Sequence, residues 1–140
     1  VPEFILPHGT EANERKFNDM DPFIRGYIEA MFFTNTGNLE DGDLQDATTA
    51  DLAQATLLAI IIDCADFQHK AERFLKKVYA SPKGYDPVQA GRDFWFTRCG
   101  HGVGFWDRGL GTPGDDLSEI ARAFGNVDMV RGDDGKVYVE

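Results

Sequence analysis

Long apolar runs are missing from this chain. The longest, Leu57 to Ile62, is far shorter than the roughly 18–20 residues that a membrane span requires, so no contact with a membrane is expected. Cysteine is scarce: Cys64 and Cys99 are the only two, and they form no CxxC pair. Two thiols in a chain with enough apolar residues for a full core fit a reducing cytosol better than a disulfide framework. Metal-ligand spacing is absent too. Three histidines and two cysteines are scattered along the sequence, so no metal and no cofactor is expected. The N-terminal Val1–Leu6 run has no basic leader and is too short for a signal-peptide core, so no secretion signal is read there.

Positive charge is also in short supply. Fourteen Lys and Arg face twenty-four Asp and Glu, a formal charge of −10. A field of that sign repels phosphates at long range and disfavours non-specific nucleic-acid binding. Acidity is ordinary in soluble proteins; its sharper meaning is a negative surface offered to a basic partner.

What is present is a foldable composition. At 140 residues, 42% hydrophobic and 12% aromatic, the chain is long enough to bury one core. Residues 1–19 carry prolines and little apolar periodicity and read as an N-terminal arm, leaving 20–140 as a single domain. Asp21-Pro22 predicts a helix start, with Phe23, Ile24, Tyr27, Ile28, Ala30 and Met31 on its apolar side and Asn35-Thr36-Gly37 at its end. Gly26 weakens that helix by about 1 kcal/mol relative to alanine.

Residues 38–46 form an acidic loop holding Glu40, Asp41, Asp43 and Asp46. Read as a calcium loop starting at Asp41, it has Asp46 where glycine belongs and Leu52 where the bidentate glutamate belongs, so it reads as a solvated acidic surface. Thr48 or Thr49 caps the next helix, with Asp51 placed for a capping box on Thr48. Nothing breaks a helix from there to Tyr79. Leu57, Ile60, Cys64, Phe67, Ala71, Phe74 and Val78 recur at steps of three and four, and Leu58, Ile61, Ile62, Ala65 and Leu75 widen the stripe to nearly the whole circumference in the first half, the second half being half polar. A helix apolar all round is buried on several sides, which predicts the central core helix; a heptad homodimer is the weaker rival. Cys64 reads as packing and His69 as solvated.

The Ser81–Pro87 punctuation ends that helix, and Asp86-Pro87 can start a short helical turn through Ala90. Asp93 to Arg108 holds both tryptophans and reads as a β-hairpin about a Gly100-His101 turn. In that register Trp95 faces Trp106 on one side of the sheet, while Phe94, Phe96 and Phe105 lie on the other. Thr112 with Pro113, or Asp115, starts a helix presenting Leu117, Ile120, Ala121 and Phe124 until Gly125. Val127–Arg131 and Lys136–Val139 flank Asp133-Asp134-Gly135 as a second hairpin. The predicted class is α+β: two N-terminal helices packed on two antiparallel hairpins separated by a short helix.

His101 is the candidate catalytic histidine, with Asp93, Asp107, Cys99, Arg98 or Arg108 as partners. A glycine-flanked turn gives it little of the fixed geometry that a base or a thiolate–imidazole pair needs, so no catalytic residue is assigned. The Gly100–Gly104 run opens no helix and so makes a poor phosphate cradle. As a binding face, Trp95 and Trp106 can stack single-stranded nucleic acid with Arg98, His101 and Arg108 nearby, against the adverse charge.

The run Asp93-Phe94-Trp95-Phe96-Thr97-Arg98-Cys99-Gly100-His101-Gly102-Val103-Gly104-Phe105-Trp106-Asp107 resembles a block found in small proteins of tailed bacteriophages and prophages. That family more often has leucine at the position of Phe96 and asparagine at that of Cys99. The similarity runs on through Gly109-Leu110-Gly111 to Gly132–Tyr138 and, more loosely, includes Phe23–Ala30. The resemblance implies a phage accessory protein of the host cytoplasm and carries over no catalytic residue. The leading expectation is therefore a non-enzymatic binder of a host or phage protein, an acidic DNA-mimicking inhibitor being one form. Single-stranded nucleic-acid binding is the second reading, and a small enzyme using His101 the third.

Overall fold

The computed structural model describes residues 20–36, 42 and 44–140. The predicted arm, and Glu40, Asp41 and Asp43 of the acidic loop, lie outside these. Among the described residues there are five α-helices and one two-stranded antiparallel sheet, an α+β arrangement dominated by helix.

Helix α1 (Pro22–Thr36) begins as its sequence predicts, with the Asp21 carboxylate accepting the Phe23 N–H at 3.2 Å. A 3-10 turn at Thr49–Asp51 precedes α2 (Gln54–Lys70), and α3 (Glu72–Tyr79) follows after a break at Ala71 (φ −101°, ψ 6°). The expected single helix from Thr48 to Tyr79 is thus two. Asp51 does accept the Thr48 N–H at 2.9 Å, but that return bond closes the 3-10 turn and not the long helix.

The largest correction concerns Asp93 to Arg108. There is no β-hairpin here. Helix α4 (Pro87–Arg98) begins at the Asp86 cap, whose carboxylate accepts the Gln89 N–H at 2.8 Å, and continues far beyond Ala90 to take in the aromatic run. It ends in a Schellman motif: the His101 N–H reaches back to Phe96 O at 2.9 Å, the Gly100 N–H to Thr97 O at 3.3 Å, and Gly100 takes φ +72°. The glycine needed by a tight hairpin turn is equally the glycine needed by a left-handed helix cap. After a loop and a 3-10 turn at Phe105–Asp107, α5 (Thr112–Arg122) starts from Gly111, so Thr112 lies within the helix and neither it nor Asp115 is the cap.

The second hairpin is present. Strand β1 (Met129–Arg131) pairs with β2 (Val137–Val139) in the register Met129–Val139, Val130–Tyr138 and Arg131–Val137, and Gly135 in the turn has φ +81°. The Ala53 N–H donates to Val137 O at 2.9 Å, tying this sheet to the start of α2.

The core forms where α1 crosses α4. Gly26 and Gly91 let the two backbones touch, since a Cβ on either would collide with Val88 O or Phe23 O respectively. The helical penalty at Gly26 is the cost of that close approach. Around the crossing, Phe67 from α2 stacks on Phe94 at 4.3 Å and on Phe105 at 5.7 Å, and Tyr27 meets Trp95 edge-on at 5.4 Å. Leu117 and Ala121 of α5 close the core, with Ile120 and Phe124 packed at its border as their spacing predicts.

Candidate interaction surface

The most distinctive block of the sequence works inside the protein. Asp93, fully buried on α4, accepts hydrogen bonds from the Tyr85 hydroxyl at 2.6 Å, from Gln89 at 3.1 Å, and from Arg108 through Nε and a terminal nitrogen at 2.8–3.2 Å. Such a carboxylate can stay inside because every oxygen has donors and a guanidinium supplies the counter-charge. One turn further on, Arg98 points the other way. Its side chain donates to Gly125 O (2.8 Å), Phe124 O (3.1 Å), the Tyr27 hydroxyl (3.2 Å) and Asp63 (2.9 Å). It therefore binds the end of α5 to α2. Gly104 completes the arrangement, because a Cβ there would run into the Trp106 ring and the Thr97 hydroxyl.

The five residues expected to bind are consequently dispersed. Trp95 is 1% exposed and donates its indole N–H to Thr34 at 2.9 Å. Trp106 is 39% exposed on the loop, with the Arg122 guanidinium 5.2 Å from its ring centre. The two tryptophans do not share a face, so the paired stacking platform is absent, for the physical reason that Trp95 is on α4 and Trp106 in the 3-10 turn beyond the loop, with no sheet to bring them opposite each other. Arg98 and Arg108 are committed to the networks just described. His101 lies over the end of α4, its ring 6.0 Å from Phe96 and 6.4 Å from Trp95, filling the apolar contact that accompanies a Schellman cap. Asp46 is exposed and pairs with Arg131 at 3.3 Å.

These placements bear on chemistry. Burial pushes the Cys64 thiol well above its ordinary range, and burial likewise raises Cys99, whose sulfur lies 3.6 Å from Val127 O. Neither is held as a thiolate, and both are free. Burial first, and then the Asp93 carboxylate, pushes the Tyr85 phenol well above its usual value. Among the described residues no group of three or more His, Cys, Asp or Glu side chains is placed to hold a metal ion, and no helix is long and apolar enough to cross a membrane.

The surface feature that sequence reasoning missed is on α2. The sequence predicts this helix buried on several sides, but only one side is: Thr56, Leu57, Ile60, Cys64 and Phe67 face the core. On the outside, Ala55, Ala59 and Ala65 are exposed, Leu58 and Ile61 are half-buried, and Ile62 is 66% exposed. The helix carries no charged residue from Gln54 to Ile62. The signal was visible, since an apolar circumference can mean a helix buried all round or one whose second face awaits a partner.

Beside that face runs a groove between α2 and α5. Ile120, Ala123 and Phe124 form its apolar floor, and Asp63, Asp66 and Glu119 stand along it with Lys70. Asp63 and Asp66 keep 41% and 44% of their side chains in solvent, and Lys70 pairs with Asp66 at 3.0 Å. Arg98 supports the groove from beneath, holding the Phe124 carbonyl and Asp63 together. Compared with protein-family models, curated proteins and solved structures, the chain finds no match.

Proposed function

We propose that this chain is a non-enzymatic binding protein whose partner is another protein, engaged through the outward face of α2. One observation carries the reading: an uncharged apolar helix face, Ala55 to Ile62, is turned to solvent in a chain of net charge −10. Desolvating such a face on a partner is favourable by about 25 cal/mol per Å² of apolar area. The likeness of the Asp93–Asp107 block to a phage family supports a host protein as that partner, met in the host cytoplasm. The second expectation, stacking of single-stranded nucleic acid, loses its platform with Trp95 in the core. The third, catalysis by His101, loses three of its five candidate partners, because Asp93 and Arg108 bind each other and Arg98 is held by Asp63, Tyr27 and the end of α5.

Site-specific photocrosslinking in the native cell tests the proposal. A photoreactive residue replacing Ile62 is expected to give a discrete adduct with one protein, identified by mass spectrometry, and the same residue at Lys77 on α3 is not. Equal labelling at both positions, or none at Ile62, would overturn it.

A further inference from the structure

Resting on that reading, we infer that the partner docks as a cationic amphipathic helix lying along the α2–α5 groove, its apolar side on Ile62 and Phe124 and its basic flanks on Asp66 and Glu119. Three observations select this occupant. The walls of the groove are two helices whose backbone groups are spent on their own hydrogen bonds, so an extended strand would find no edge to pair with. Asp63, Asp66 and Lys70 line the groove at i, i+3 and i+7, about two helical turns or ~10 Å, the spacing at which another helix presents its own successive side chains.

Charge supplies the third argument. Carboxylates from both helices flank an apolar floor, and the one cation among them, Lys70, is 58% exposed, pairs with Asp66 at 3.0 Å and has its ammonium 5.2 Å from the centre of the Phe124 ring, so an incoming helix takes the place of Lys70 on that ring. Such pairs are worth little and exchange readily for a partner's cation. A second copy of the chain would bring the same carboxylates against themselves, adding local repulsion to a net charge of −10 on each molecule. A helix with leucine on one side and arginine flanking it meets both the floor and the rim.

Three synthetic 15-residue peptides test this by titration into isotope-labelled protein: leucine with arginine, leucine with glutamate, and serine with arginine at equal charge. The leucine–arginine peptide is expected to shift the amide signals of Ile62, Asp66, Ile120 and Phe124. Its affinity should fall on the order of tenfold in the double variant Asp66→Asn, Glu119→Gln, and fall again as salt is raised. The other two peptides should bind at least about tenfold more weakly. Equal binding by the glutamate peptide, equal binding by the serine peptide, or shifts confined to another face each overturn the inference. So does concentration-dependent dimerisation in sedimentation that Ile62→Asp abolishes, which would make the occupant a second copy. If the peptides fail while Ile62 still crosslinks a single protein, the binding face stands and only the helical cationic partner falls.

Discussion

Within Asp93–Arg108 two charges are on the inside: Asp93 is fully buried among donors from Tyr85, Gln89 and Arg108, and Arg98 is nearly so, among acceptors from elements distant in sequence. Along Ala55–Ile62 of α2, Leu57 and Ile60 face the core, but Ala55, Ala59 and Ile62 are exposed, Ile62 to 66%, and the run has no charge. Both segments break the usual partition of polar and apolar groups, but in opposite senses. In the first, a burial cost is met within the chain by ion pairs and hydrogen bonds that fix α4, α5 and the 3-10 turn relative to one another. In the second, nothing among the described residues covers the exposed surface. A closed polar network is accounted for by the architecture; the open apolar face is what the proposed interface rests on.

The comparison is broken most severely at Asp93. Asp93→Ala leaves the buried Tyr85 hydroxyl and the Arg108 guanidinium without their acceptor. Removing one member of a buried pair costs about 3–5 kcal/mol, and the lower end applies because Arg108, 30% exposed at its side chain, can turn to water. Urea unfolding should show a loss of about 3 kcal/mol, and a loss below about 1 kcal/mol would mean that the network is decorative.

A smaller effect sharpens the same contrast through pH. Burial raises the Tyr85 phenol from its ordinary value of 10.0, with the Asp93 carboxylate adding to the shift. A folded-state pKa raised above the unfolded one stabilises fully below the unfolded value and is lost as pH climbs beyond it. The Tyr85 share of stability should hold up to about pH 10 and then decline, added to the shares of the likewise raised Tyr27 and Tyr79 and of Cys64 and Cys99, whose losses begin nearer pH 9. Tyr85→Phe, which removes the ionisable group and one hydrogen bond, is expected to cost about 1 kcal/mol near neutrality and to make the decline above about pH 10 shallower. An unchanged alkaline slope in the variant would show that Tyr85 does not contribute to it.

How far the sequence speaks to these regions differs by kind of signal. Caps were legible: Asp21-Pro22 and Asp86-Pro87 each open a helix, and the terminal hairpin was announced by Asp133-Asp134-Gly135. The α+β class followed from them, but the arrangement did not, because Phe94, Trp95 and Phe96 are packed on several sides and a buried helix and a buried strand show the same dense apolar run. Gly100 then misled, since a left-handed glycine ends a helix as readily as it turns a hairpin. Gly26 and Gly91 could not announce their contact from separate helices, for nothing local records which backbone comes close. The apolar circumference of α2 was legible too, though not which half of it would stay uncovered, a question decided by where α1, α4 and Phe105 meet Phe67.

Ile62 gives the opposite pole of the comparison and the smallest effect on folding. If the outer face of α2 were core, Ile62→Asp would bury a carboxylate and unfold the domain. With the side chain 66% exposed, the substitution should change urea stability by no more than about 0.5 kcal/mol. The apolar contact would nonetheless be lost from any complex formed on that face. The variant should therefore retain the wild-type unfolding curve, and its leucine–arginine peptide affinity should fall by about tenfold or more. A stability loss of several kcal/mol would return α2 to the role of a core helix. Unchanged stability together with unchanged affinity would move the interface off this face. Only the separation of the two readouts distinguishes a surface made for a partner from one that merely tolerates water.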